Sequence, residues 1–301
     1  MGEKIKITFL GSGSSIPTEK RNHPSVLIEY KDEAFLFDCG EGTQKQLRIK
    51  KISPCKITRI FISHWHADHV IGLPGLLQTL SLNKYNKELK IYGPEGTKEF
   101  FSLYEKLFIN KFDPIKIKIF ELKNSLLDEK DFFIESREMK HNCPCIAYSF
   151  KIKDKKRINK KKLEKLKIRD ISLIKEILEK DSFKLNDKKI NSKEITYIEK
   201  GKKVVYITDT SLNKNILYLS KEADLLIIES TYSSKNKDLA DSYFHLTVEQ
   251  SCNLAKKAKV KKVILFHLSQ RYEKNIKEIL SEAKKIFKEA IIAQDFDIFF
   301  V

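Results

Sequence analysis

Four side chains able to bind a metal, His64, His66, Asp68 and His69, stand within the run His64-Trp65-His66-Ala67-Asp68-His69. The run follows Ile57 to Ser63, which reads as a strand. On extended chain, residues two apart point the same way, so the imidazoles of His64 and His66 can reach one ion. Asp68 and His69 come where the chain turns into a helix and can face a neighbouring ion. Three histidines and one carboxylate suit zinc, and manganese or iron would also accept them. A lone buried histidine is usually structural, but four donors at this spacing predict a metal site.

One local cluster cannot close two metal positions, so the remaining ligands must come from distant points. The chain holds seven histidines, at 23, 64, 66, 69, 141, 245 and 267. His141 and His267 follow strand-like segments and Asp209 ends another. Together they would complete a two-metal set with Asp209 as the bridging carboxylate, although any one of them alone could equally be structural. Two metals lower the pKa of a shared water and steady both oxygens of a phosphoester displacement. His245, in Phe244-His245-Leu246-Thr247, lies in a loop before a helix. Near the metals it could donate a proton to a leaving 3′-oxygen; otherwise it is a capping or surface residue.

The elements that must position these residues read as strands followed by helices. In the first half, Ile5 to Leu10, Val26 to Tyr30, Ala34 to Phe37, Ile57 to Ser63 and Leu89 to Tyr92 are strand-like, joined by glycine turns. In the second half, Val204 to Ile207, Asp224 to Ile228 and Val263 to Phe266 end in Asp209, Glu229 and His267. Val248 to Lys257 and Asn275 to Glu289 read as helices, and Ile291 to Val301 as a closing strand. Polar residues at strand ends favour an α/β sandwich with its site along one sheet edge. Residues 151–200 differ: they contain no Gly and no Pro, and Lys dominates them. Leu163, Leu166, Ile171, Ile174, Ile177 and Leu178 mark one helical stripe there. We expect a single domain over 1–301 with an inserted, Lys-rich helical arm at 151–198. Its basic face either binds RNA or is an ordinary solvated surface.

Charge narrows the partners. Lys and Arg number 58 against 41 Asp and Glu, a net charge of +17, which draws polyanions such as nucleic acid. No apolar run reaches the ~18 residues of a membrane span, and no signal-peptide pattern stands at the start, so the expectation is a cytoplasmic protein with no membrane partner. Five scattered cysteines do not make a disulfide framework. Cys143-Pro144-Cys145 could be a redox pair or a thiolate site, although free cysteines more often behave as small hydrophobes.

These residues resemble a known pattern. His64 to His69 followed by Ile71-Gly72-Leu73-Pro74-Gly75-Leu76-Leu77 is similar to the metallo-β-lactamase fold, a four-layer αβ/βα sandwich. More narrowly, the chain resembles the ribonuclease Z family of tRNA 3′-end processing endonucleases. The likeness includes Phe9-Leu10-Gly11-Ser12-Gly13-Ser14, Phe37-Asp38-Cys39-Gly40-Glu41-Gly42-Thr43-Gln44, Asp209-Thr210 and Glu229-Ser230-Thr231-Tyr232. It continues through His245-Leu246-Thr247 and His267-Leu268-Ser269-Gln270-Arg271-Tyr272. The resemblance covers about residues 4–150 and 200–300. It implies that His64, His66 and His141 hold one zinc, that Asp68, His69 and His267 hold the other, and that Asp209 bridges them. It further implies that Asp68 orients or deprotonates the attacking water, and that His245, steered by Glu229, assists the leaving group. Ser269 and Arg271 would grip the phosphate. The implied substrate is precursor tRNA and the implied assembly a homodimer. Two features depart from the family. Its arm carries a Gly-Pro-rich motif that 151–198 lacks, and its early loop places Lys one position earlier than Pro17-Thr18-Glu19-Lys20-Arg21-Asn22 does.

Three functions are thus in competition. One is an endoribonuclease acting on precursor tRNA. Another is a phosphodiesterase or thioesterase for small molecules, which would not need the basic arm. The last is an RNA-binding protein with structural metals, which the apparently complete two-metal ligand set opposes because structural zinc sites are generally closed four-coordinate cages.

Overall fold

The computed structural model describes residues 3–108, 115–185 and 188–301. Its first strands are β1 (Lys6–Gly11), β2 (Ser25–Tyr30), β3 (Glu33–Phe37), β4 (Ile57–Phe61), β5 (Glu88–Gly93) and β6 (Lys116–Glu121). Then come β7 (Leu126–Asp128), β8 (Phe132–Glu138) and β9 (Ile146–Ile152), and four short strands, β10 (Lys155–Ile158), β11 (Ser182–Leu185), β12 (Lys188–Asn191) and β13 (Thr196–Glu199). The chain closes with β14 (Lys203–Ile207), β15 (Leu225–Glu229), β16 (Val263–Phe266), β17 (Ile291–Ile292) and β18 (Ile298–Phe300).

Two seven-stranded sheets result, ordered β18-β1-β2-β3-β4-β5-β6 and β17-β16-β15-β14-β9-β8-β7. Each is antiparallel on one side and parallel on the other: β3 to β6 run parallel in the first, as do β14 to β17 in the second. Strand alternation then builds the layers. In β14, Val204 and Tyr206 face the core between the sheets, while Val205 and Ile207 face the helices outside. In β15, Leu225 and Ile227 turn inward, and Leu226 and Ile228 outward. Phe9, Phe37, Phe61, Tyr148, Tyr206 and Phe266 fill the inter-sheet core. Outside the first sheet pack helices Thr43–Ile49, Leu73–Leu82 and Thr97–Leu107; outside the second pack Lys214–Ser220, Val248–Lys257 and Ile276–Ile286. The order helix, sheet, sheet, helix is the expected four-layer sandwich.

Two expectations need correction. Ile291 to Val301 is not one strand. It splits into β17 on the edge of the second sheet and β18 on the edge of the first. Between them Asp295 turns inward and accepts hydrogen bonds from the Ser12 amide and hydroxyl, the Asn22 amide and the Gln46 side chain.

Nor are residues 151–198 a helical arm. Among the described residues of this segment only Lys160–Lys165 and Ile171–Glu179 are α-helical; β10 pairs with β13, and β11 with β12. The segment leaves β9 and rejoins β14, which are hydrogen-bonded neighbours, so it is a lateral excursion from one sheet. Its own small core is Ile168, Ile177, Phe183 and Ile195. Leu163, Leu166 and Ile174 from the helical stripe pack against that core. Ile171 instead stands 71% exposed, and Leu173 takes the inward place. The six apolar residues span a break between two helices, where the 3.6-residue phase is lost.

Candidate metal centre

The sheets bring their chemistry to one edge, at the carboxyl ends of parallel strands, where open α/β sheets bind ligands. Past β4 come Ser63 and His64. Past β3 comes Asp38, past β8 His141, past β14 Asp209, past β15 Thr231 and past β16 His267. Helix Ala67–Val70 begins within the His64 to His69 run and presents Asp68 and His69. Close backbone approach makes this possible: a Cβ on Gly72 would lie 1.9 Å from the Gly40 carbonyl oxygen, and one on Gly40 would lie 2.5 Å from that of Asp68. Glycine is required at both positions. Asp38 and His267 hold positive φ angles, 54° and 59°, an uncommon backbone state that marks chain bent to aim a side chain.

His64, His66, His141 and Asp209 converge, as do Asp68, His69 and His267. His66 Nδ1 is 3.0 Å from His64 Nε2 and 3.2 Å from His141 Nε2. Asp209 divides its carboxylate between the groups. Oδ2 lies 3.6 Å from His64 Nε2 and 4.0 Å from His141 Nε2, while Oδ1 lies 3.6 Å from His69 Nε2 and 3.1 Å from His267 Nε2. Asp68 Oδ2 is 3.3 Å from His69 Nε2 and 3.5 Å from His267 Nε2. With metal–ligand bonds of ~2.0–2.2 Å, the edges of a tetrahedral donor set are about 3.3–3.6 Å, close to these spacings. Asp68 Oδ2, His69 Nε2 and His267 Nε2 are buried without a hydrogen-bond partner. Three orphaned donors facing one point are what a divalent cation would satisfy, so the residues fit a metal.

Partners behind the imidazoles fix which nitrogen faces inward. Asp38 Oδ2 is 2.8 Å from His69 Nδ1 and accepts from the Ser63 and Tyr206 hydroxyls. Ser63 Oγ lies 3.0 Å from His64 Nδ1, Thr231 Oγ1 2.9 Å from His267 Nδ1, and the Phe244 carbonyl 3.3 Å from His141 Nδ1. A proton kept on Nδ1 leaves Nε2 free to bind metal. His66 alone presents Nδ1. Asp38, Ser63, Tyr206 and Thr231 were given no role from sequence. The one available signal was an aspartate in a glycine-rich turn directly after a strand.

Burial lowers the pKa values of His64, His66 and His141, leaving them neutral donors. Burial acts in the same sense on His69, but Asp68, Asp38 and Asp209 outweigh it and raise its pKa. Burial also opposes ionised Asp68 and Asp209. Neighbouring imidazoles prevail, His69 and His267 at Asp68 and chiefly His267 and His245 at Asp209, and hold both carboxyls well below the usual range.

A cavity of about 290 Å³ opens above the ligands, lined by His66, Asp68, His141, Asp209, Thr231 and His267 and also by His245, Ser269 and Arg271. His245 is held by Glu229, whose Oε1 lies 3.1 Å from Nδ1. Its Nε2 is 4.0 Å from Asp209 Oδ2. Burial works against the charged imidazole, but Glu229 and Asp209 overcome it and push the pKa up to about 9. Glu229 is fully buried and also accepts from the Thr210 amide and the Thr231 hydroxyl. The Arg271 Nε donates to Ser269 Oγ at 3.3 Å, and its guanidinium lies 5.2 Å from the centre of the Tyr232 ring. Cys143 and Cys145 are free thiols outside the donor groups. Burial raises both pKa values, and Cys145 donates to the Asp209 carbonyl. Cys145 is therefore a core residue rather than a thiolate ligand.

Residues 5–133 match the family described as anti-Pycsar protein Apyc1, and residues 177–268 match the beta-lactamase superfamily domain. A protein named Ribonuclease Z from Pyrococcus horikoshii is 41% identical, over 97% of this chain and 95% of its own length. The chain belongs to the ribonuclease Z family. Another Ribonuclease Z, from Nanoarchaeum equitans, is 38% identical over 97% of this chain and 92% of its own length. Among solved structures, human tRNase Z, short form, superposes with a TM-score of 0.71 at 26% identity, covering 98% of each chain. The chain is accordingly a hydrolytic nuclease of the metallo-β-lactamase fold whose His/Asp cluster serves a divalent metal.

Proposed function

We propose that this protein is an endoribonuclease that removes the 3′ trailer from precursor tRNA by two-metal hydrolysis of a phosphodiester, leaving a tRNA 3′-hydroxyl. The observation that carries this is Asp209, whose two oxygens face two separate histidine groups at the floor of an open cavity. Relatives named Ribonuclease Z and tRNase Z supply the substrate class.

His64, His66 and His141 would hold one zinc, Asp68, His69 and His267 the other, with Asp209 between; manganese or iron could replace zinc. When bound, the metals supply an acidified water and positive charge for the phosphodiester. Asp68 orients the attacking water or takes its proton. Glu229 holds His245 by Nδ1, so that a proton on Nε2 is offered to the leaving 3′-oxygen. Ser269 and Arg271, at the cavity wall, bind the phosphate. The net charge of +17 favours a polyanionic substrate, and the Lys-rich segment 151–198 acts as an outlying tRNA contact. We further propose a homodimer in a reducing cytoplasm, where the free cysteines stay reduced. No helix among the described residues is long and apolar enough to cross a membrane.

The test is direct: incubate the purified protein and zinc or manganese with end-labelled precursor tRNA, and map the cut. One cut at the 3′ end of the acceptor stem, leaving a 3′-hydroxyl, is expected. Turnover of bis(p-nitrophenyl) phosphate with the precursor left whole would remove the RNA reading, and metal binding without any turnover would remove the enzyme reading.

A further inference from the structure

Ser14, Ser15, Ile16 and Asn142 line the cavity without an aromatic ring. On the wall that carries His245 stand Tyr232, Tyr243 and Arg271. Tyr232 is fixed there: its amide donates to the Leu246 carbonyl, its own carbonyl accepts from the Val248 amide, and its ring centre is 5.9 Å from that of His245. The guanidinium of Arg271 covers the Tyr232 ring and is itself exposed. Tyr243 ends helix Lys237–Ser242, and Phe244 follows with φ 59°, so the chain turns sharply between Tyr243 and His245. The Tyr243 side chain is 59% exposed on the cavity rim, and among the described residues its ring stacks on no other and its hydroxyl makes no hydrogen bond.

An exposed aromatic lining the same cavity as a flat guanidinium is an arrangement that binds unpaired nucleobases, by stacking rather than by reading their edges. Arginine can do this while its N–H edge holds a phosphate, because its faces and edges are separate surfaces. We propose that Tyr243, with the Arg271–Tyr232 stack, forms a nucleobase subsite for the nucleotide immediately 5′ of the scissile phosphate. The assignment to that nucleotide rests on the phosphodiester reading. His245 serves the leaving 3′-oxygen, and the ribose carrying that oxygen also carries the base, so the base belongs on the His245 wall. Stacking is worth more for larger ring systems, so the subsite favours a purine.

The experiment uses the metal-loaded, full-length protein, precursor tRNA and 2-aminopurine placed either just 5′ or just 3′ of the cut. Stopped-flow fluorescence under single-turnover conditions is expected to show quenching at the 5′ position with wild type and Tyr243→Phe, and little with Tyr243→Ala. The Ala variant should raise KM for precursor tRNA on the order of 5- to 150-fold. Turnover of bis(p-nitrophenyl) phosphate, which has no base, should stay at the wild-type rate. Wild-type KM and quenching in Tyr243→Ala would overturn the subsite, as would quenching only at the 3′ nucleotide. An equal loss on both substrates, or a changed sedimentation coefficient, would make Tyr243 a structural or interface residue instead. Wild-type protein that never cuts the precursor removes the RNA reading and the subsite with it; wild-type cutting with an unaltered Tyr243→Ala removes the subsite alone.

Discussion

Around the cavity, four of the five histidines assigned to metal are fixed from behind by a partner: Asp38 for His69, Ser63 for His64, Thr231 for His267 and the Phe244 carbonyl for His141. In the segment 151–198, a core cluster of four buried apolar side chains holds two short helices and two strand pairs, and lysine is the commonest exposed residue among those described. The first region fixes the direction of most of its donor atoms through these rear partners. The second holds charge in a region of space, which suffices for attraction to phosphates that acts over several ångströms.

The largest effect expected from that contrast is at Asp209. Asp209→Ala should lower precursor cleavage by at least about 10³-fold while gel-shift binding of the tRNA persists; joint loss of both in a folded variant would contradict the assigned role. His245→Ala should cost roughly 10²–10⁴ in kcat on RNA. It should spare bis(p-nitrophenyl) phosphate, whose leaving group needs no proton, and a matching loss on that ester would place His245 elsewhere in the mechanism. Asp38→Asn touches no substrate, yet should weaken metal affinity about 10- to 100-fold, read by chelator competition. An unchanged affinity would mean that His69 is held without it.

In the outlying segment the effects are smaller and different in kind. Its boundaries are marked by Asp154 and Lys200, ion-paired at 2.7 Å. Replacing residues 156–198 with a short Gly-Ser turn should weaken precursor binding, flatten its dependence on salt and leave nitrophenyl ester turnover alone. A salt slope equal to that of wild type would show that the lysines there do not meet phosphate. Ile177→Ala should loosen the small core by roughly 2–5 kcal/mol, seen as faster amide exchange within 160–195 and wild-type protection in the two large sheets. A global loss of protection would show that the segment is not energetically separate.

The side chains that converge in the structure were legible in the sequence because metal chemistry restricts residue type: seven histidines leave few choices, and strand ends are visible as apolar runs ending in a polar residue. The sequence carried the layers because alternation in β14 and β15 and helical spacing in 248–257 are long enough to have a phase. The supporting partners were harder to read. Asp38, Thr231 and Tyr206 act through hydrogen bonds between strands distant in sequence, and nothing local distinguishes such a tyrosine from a core one. The 151–198 segment departs from the helical expectation because its described strands span only four residues each, too short to show alternation, while the leucines and isoleucines of two separate helices fall near one helical spacing.

The split C-terminal run has a consequence for synthesis. Ser12, whose carbonyl accepts from the His267 amide, is itself held by Asp295, 283 residues later in the chain. β1 is likewise flanked by β18. A nascent chain emerging from the ribosome has translated all seven metal-facing residues once His267 is made, but lacks the residue that secures the loop beside it. Contacts of such long sequence separation are slow to form. The loop beside His267 and strand β1 therefore gain these partners only once residues 295–300 have been made.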